Sequence, residues 1–146
     1  MKIRKAIAKD VDKIVLLALK LWPNHEFKEL KSEFIDLLKN NKASLFLAEL
    51  DNTPIGFAQC QLRFDYVEGT CSSPVGYLEG IFVEENFRNK HISKKLLTKC
   101  EQWAKEKGCV EFASDCEIQN KISIKVHKHL GFEETNRIVC FRKKLD

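Results

Sequence analysis

The chain predicts a mixed α/β fold with its elements in the order β-α-α-β-β-β-α-β-α-β and at least one parallel crossover. Three observations carry that expectation. Short runs such as Ser44 to Leu50 and Tyr77 to Val83 read as strands, while Val11, Ile14, Val15, Ala18 and Leu21 recur at helical spacing. The two kinds of run interleave along the chain. The stretch Val75 to Cys100 joins an apolar strand to an amphipathic helix through a basic turn, and the return at Val110 makes a parallel crossover.

In order, Lys2 to Ala6 alternate as a first strand, Asp10 opens the first helix, and Pro23 stops it. A second helix, about Glu26 to Asn40, is amphipathic through Leu30, Phe34, Leu37 and Leu38. Between them, Trp22-Pro23-Asn24-His25 reads as a helix end whose indole caps the core, or as a loop lining a pocket. Ser44 to Leu50 and Ile55 to Phe64 form strands across the turn Asp51-Asn52-Thr53-Pro54. The following loop, Arg63 to Pro74, is longer than a hairpin needs and mixes acids with Tyr66, a composition typical of functional loops. After the central strand and helix, Gly108 ends the helix and Val110 to Ser114 forms a strand. A last helix, about Ile118 to Leu130, places Ile118, Ile122, Val126 and Leu130 as a core stripe, and Arg137 to Lys143 supplies a closing strand.

At 146 residues the expectation is one domain over 1–146 with room for a core. No apolar run is long enough for a bilayer and the N-terminus lacks a signal-peptide core, so a cytoplasmic protein without a membrane partner is expected. The six cysteines show no metal spacing, so reduced thiols and no metal are expected. The net charge of +4 is modest and lacks a basic stripe with aromatic platforms, which argues against nucleic acid. Its distribution says more. Arg88, Lys90, His91, Lys94 and Lys95 gather on one turn, whereas Asp65, Glu68, Glu79, Asp115 and Glu117 fall on loops and strand ends elsewhere. One basic and one acidic site suit an anionic cofactor meeting a cationic substrate.

The basic turn opens a helix, and unpaired amides with the helix dipole favour an anion there, phosphate first. As structure alone it is a solvated turn. The acids offer chemistry of another kind. Glu79 lies inside an apolar strand, on the same face as Ile81 if no bulge intervenes, and Asp115 ends the neighbouring strand at its carboxyl edge. Taken singly, either acid reads as a cap or an ion-pair partner; together they read as a proton acceptor and an ammonium anchor. On the last helix Asn120, Ser123 and His127 share one face.

Two motifs carry a resemblance. Arg88-Asn89-Lys90-His91-Ile92-Ser93 resembles the [QR]-x-x-G-x-[GA] turn of the GNAT superfamily of N-acetyltransferases, with His91 for the first glycine and Ser93 for the second small residue. Asn120-x-x-Ser123-x-x-x-His127-x-x-x-Gly131-Phe132 resembles its N-x-x-[AS]-x-x-x-Y-x-x-x-G-F, with His for Tyr. LWPNH, RFDYVEG, SSPVGYLEGIFV, ASD and KVHKHLGFEET extend the resemblance over nearly the whole chain to aminoglycoside 6′-N-acetyltransferases.

The resemblance implies a GNAT acyl-CoA N-acyltransferase fold, its sheet splayed at a bulge that Gly80 permits, and acetyl-CoA as co-substrate. Cofactor contacts are then expected at Ile81, Phe82, Val83, Arg88, Asn89, Lys90, His91, Ile92, Ser93 and Lys94, and at Asn120, Ser123 and His127. It implies that Trp22, His25, Tyr66, Glu79 and Asp115 line the aminoglycoside pocket, with Asn136 where relatives carry a glutamate. Glu79 is expected as general base, Asp115 as anchor, and His127 as proton donor to the thiolate. A homodimer is implied as well. Acetylation of protein amines or polyamines, or a non-catalytic acyl-CoA-binding role, are the alternatives.

Overall fold

A computed structural model describes residues 1–146. Five strands form one sheet in chain order: β1 (Lys2–Lys5), β2 (Ala43–Leu50), β3 (Thr53–Arg63), β4 (Val75–Val83) and β5 (Phe112–Ala113). The first four pair antiparallel and β5 joins β4 in parallel. Helices α1 (Val11–Leu21) and α2 (Phe27–Lys39) precede β2; α3 (Ile92–Glu106) crosses from β4 to β5, and α4 (Lys121–His129) follows. The β2–β3 hairpin turns at Asp51 and Asn52, with φ of 49° and 63°, the left-handed pair that matches strand twist.

Strand alternation divides the core between the two faces of the sheet. Leu45, Leu47 and Phe57 pack with Ile14, Ala18, Leu30 and Phe34 from α1 and α2, while Ala58, Cys60, Leu78 and Val83 pack with Leu96, Leu97, Cys100 and Trp103 from α3. No helix is long and apolar enough to cross a membrane.

Three features depart from the expectation. First, residues 137–146 form no strand: the segment is exposed throughout, with Val139, Phe141 and Leu145 at 77%, 91% and 89%. Second, α4 has no buried residue, and of the expected core stripe Ile118, Ile122 and Val126 are exposed while Leu130, just past the helix, packs on the α3-side core. Third, the strand expected from Val110 to Ser114 contracts to Phe112–Ala113, so Asp115 lies beyond its end. Apolar periodicity finds a face, but which surface that face meets is tertiary information.

One ion cluster fastens the N-terminal strand. The Arg4 guanidinium donates to both oxygens of Asp10, each at 2.8 Å, and to Glu49 at 3.0 and 2.6 Å; Asp10 also accepts from the Ile7 amide. Hydrogen bonds from Arg4 hold both carboxyls below their usual range, against burial, which pushes the other way. Their folded values lie below the unfolded ones, so this stabilisation is complete above the ordinary carboxylate range near about pH 4 and is lost as pH falls. Arg4→Met is expected to destabilise by about 2–3 kcal/mol at pH 7. Urea unfolding should show that deficit shrinking at pH 3.

Candidate functional site

The site begins with a fault in β4. Gln59 of β3 pairs with Gly80 and Cys60 pairs with Leu78, so Glu79 is the unpaired extra residue of a bulge. Alternation reverses there. Leu78 and Ile81 both pack in the α3-side core, whereas Glu79 turns to the opposite side of the sheet, so the expected sharing of a face by Glu79 and Ile81 does not hold. Gly80 has a second reason to be glycine: a Cβ there would lie 2.5 Å from the Trp22 indole, which rests on this strand and meets Phe57 edge-on at 6.1 Å.

The sheet also opens at this point. β5 pairs only through Gly76–Phe112 and Tyr77–Ala113, leaving β4 from Leu78 onward without a strand on that side. Backbone groups along an unpaired edge recruit an extended partner.

Glu79 and Asp115 belong to one cluster, joined by two residues that the sequence did not single out. Arg63, the last residue of β3, donates from Nη2 to both Glu79 oxygens at 3.0 and 3.1 Å and from Nε at 3.1 Å. Its guanidinium carbon lies 3.4 Å from the centre of the Tyr77 ring. The Tyr77 hydroxyl in turn donates to the exposed Asp115 carboxylate. Burial pushes the Glu79 carboxyl above its usual range, and Arg63 offsets only part of that. Burial and the bond to Asp115 push the Tyr77 phenol upward, so it stays a donor. These partners lie 16 and 38 residues apart, beyond the reach of any local pattern.

Of the other residues expected around the acceptor, Tyr66 is exposed on the loop after β3, and His25 follows the end of α1 with Nδ1 3.6 Å from Glu29. That loop is tied at its far end, where the Cys71 amide and Ser72 hydroxyl both donate to Glu111. Asn136 donates to Glu68 at 2.7 Å, and Thr135 packs so closely on Gly69 that a Cβ there would meet it at 2.5 Å. The segment after α4 thus crosses the loop that carries Asp65, Tyr66 and Glu68.

The basic turn lies at the start of α3. Asn89 and His91 both have left-handed φ, 63° and 61°, so His91 keeps a glycine-like backbone despite its Cβ while its ring stays in solvent. The first turn of α3 carries no acidic residue, leaving its amides and dipole unopposed. Arg88 folds back, Nε donating to the Val83 carbonyl at 2.9 Å, and Lys90, Lys94 and Lys95 are exposed around it.

On α4, the face with Ser123 and His127 turns toward the sheet. Asn120 is the N-cap, its Oδ1 accepting from the Ser123 amide at 3.0 Å. The Ser123 carbonyl, 2.7 Å from His127 Nδ1, can only accept, which assigns the proton of neutral His127 to Nδ1. Nε2 then accepts from the Ser114 hydroxyl at 2.8 Å, a partner next to Asp115 that the sequence reading missed.

The acetyltransferase (GNAT) family profile matches residues 11–132. The aminoglycoside N(6′)-acetyltransferase type 1 of Salmonella typhimurium strain LT2 is 43% identical over 128 residues, 88% of each chain. Among solved structures, the apo aminoglycoside 6′-N-acetyltransferase AAC(6′)-Ig from Acinetobacter haemolyticus superposes over 100% of both chains, with TM-score 0.96 and 38% identity. AAC(6′)-Iy, solved with the bisubstrate analogue CoA-S-monomethyl-acetylneamine, superposes with TM-score 0.94 and 40% identity over 99% of this chain and 98% of that one.

The left-handed φ at His91 is strained for a residue with a Cβ. His91→Gly is expected to stabilise the fold by roughly 0.5–1 kcal/mol, net of glycine's greater unfolded-chain entropy. Chemical denaturation reads this directly, and a loss of stability would show that the imidazole holds the turn.

Proposed function

The chain belongs to the acetyltransferase (GNAT) family, and from that premise we propose how its own residues carry out aminoglycoside acetylation. The reaction moves an acetyl group from acetyl-CoA to the 6′-amine of an aminoglycoside by direct attack. The observation that carries this reading is that the bulge puts the Glu79 carboxylate beside the opening between β4 and β5, with Asp115 at the end of the shorter strand.

The turn and the open edge fit acetyl-CoA. A diphosphate suits an α3 N-terminus with no acid in its first turn, rimmed by cations and entered through two left-handed residues. Asn89, Lys90, His91, Ile92, Ser93 and Lys94 would hold it, with Arg88 alongside. The unpaired edge of β4 at Ile81, Phe82 and Val83 would hold the pantetheine as an added strand. Acetyl-CoA supplies the activated acyl group as a thioester. An amide of Ile81 or Phe82 then stabilises the carbonyl oxygen as charge develops there.

On the acceptor side, Trp22, His25, Tyr66, Glu79, Asp115 and Asn136 line the proposed pocket. Glu79, held partly out of water, takes the proton of the attacking amine, directly or through a water, and Asp115 anchors an ammonium. Asn120 and Ser123 lie beside the proposed thiol position. His127 is the proposed proton donor to the leaving thiolate through Nε2, which would first take up a proton and give up its bond from the Ser114 hydroxyl, while Nδ1–H stays on the Ser123 carbonyl.

Thiol release from acetyl-CoA should be fast with kanamycin and slow with lysine peptides or simple polyamines. Asp115→Asn and Glu79→Gln are each expected to lower turnover by about 10²-fold or more while acetyl-CoA binding persists. Glu79 acts as a base, so kcat/KM should fall as pH drops through its carboxyl, whose pKa burial raises above the usual glutamate range. Glu79→Gln should abolish that acidic limb, and a retained limb would assign it to another group. Expression in a susceptible bacterium should raise its kanamycin tolerance, as cytoplasmic acetylation of the drug requires.

We further propose a homodimer. Val139, Phe141 and Leu145 on the C-terminal segment and Ile122 on α4 are largely exposed apolar side chains, which a second copy would cover. Sedimentation should give a dimer for the full chain and a monomer when residues 137–146 are removed.

A further inference from the structure

Arg63 poses a difficulty for any cationic acceptor. Its guanidinium makes three hydrogen bonds to the two oxygens of Glu79 and lies flat on the Tyr77 ring. A planar cation forked onto a carboxylate and stacked on an aromatic face is the arrangement that an incoming ammonium would itself seek. Glu79 is the more buried partner, its side chain 19% exposed against 38% for Arg63, so the arginine is the one with room to swing outward. It ends β3 at the root of a loop that begins with the exposed Phe64, Asp65 and Tyr66.

We propose that Arg63 is an internal stand-in for the acceptor's reacting ammonium, which displaces it from Glu79 on binding. This rests on the acetyltransferase reading above, and it adds to it a residue that sets acceptor affinity. The physical reason is charge exchange. Any amine reaching Glu79 replaces one cation by another, so the ion pair it forms is offset by the ion pair it breaks. Further ammonium groups of the acceptor meet Asp115, and Asp65 and Glu68 on the loop, carboxylates that Arg63 does not occupy. Those additional pairs drive the displacement. The competitor thus raises by one common factor the concentration at which each acceptor binds.

The test measures KM for kanamycin and for 6-amino-6-deoxyglucose, a single-amine sugar, in the wild-type enzyme and in Arg63→Ala. KM should fall about tenfold for both acceptors in the variant, because each is released from the same competitor. Millimolar ethylguanidinium, which can refill the vacated position, should raise KM again in competition with the amine. Arg63→Lys, with the charge but not the fork, should fall between the two, and acetyl-CoA binding by calorimetry reports that each variant is folded. An arginine that merely orients Glu79 would lower kcat for both acceptors and leave KM where it was, and an unchanged or raised KM overturns the proposal. A wild-type enzyme that released no thiol with kanamycin would overturn the acetyltransferase reading itself, and is distinguished from failure of the present inference by that single control.

Discussion

Everything in this molecule depends on one extra residue in β4. With Glu79 unpaired between Leu78 and Gly80, the strand changes the face it presents partway along its length. Without the bulge, regular alternation would send Ile81 and Val83 away from α3 and turn Phe82 into it, dismantling both halves of the core at once. With it, both cores are filled and a carboxylate emerges where β4 parts from β5. The Trp22 indole holds this geometry from the other side, because it lies where only glycine fits at position 80.

Charge is then distributed about that parting. On one side α3 begins with unopposed amides and a ring of exposed lysines. On the other, Arg63 joins Glu79 to Tyr77, and the Tyr77 hydroxyl reaches Asp115. Burial decides the character of Glu79. Its carboxyl is pushed upward even though a guanidinium touches it, so desolvation outweighs the ion pair. A carboxylate in water beside an arginine would be a weaker base. The same partly dry environment strengthens its attraction for an ammonium. Both properties suit the base proposed above, since an aminoglycoside arrives charged and must react neutral.

The protein tolerates local cost near this site. Asn89 and His91 adopt left-handed backbone that glycine would take more readily, and the apolar face of α4 is left open together with the C-terminal segment. The two costs differ in kind. The first is conformational strain in the turn that leads into α3, proposed above to hold the diphosphate. The second is a set of exposed apolar side chains on α4 and the C-terminal segment.

The sequence by itself determined the element order through β5 and α4, the two-residue turn at Asp51 and Asn52, the basic helix start, and the likeness to a family of acetyltransferases. Each is a local quantity: periodicity, turn chemistry, or a motif within a few residues. It also singled out Glu79 and Asp115, because a carboxylate inside an apolar strand and another just past a strand end are conspicuous in one dimension. The tertiary structure alone decided which side of the sheet Glu79 faces, since one unpaired residue reverses alternation and pairing is set by the neighbouring strand. It alone revealed Arg63, Tyr77 and Ser114, whose partners are distant in the chain. It also reversed the reading of α4, where a polar face meets the sheet and an apolar one meets solvent. A helix has the same period whichever way it is turned; only what stands beside it fixes which face is the inside.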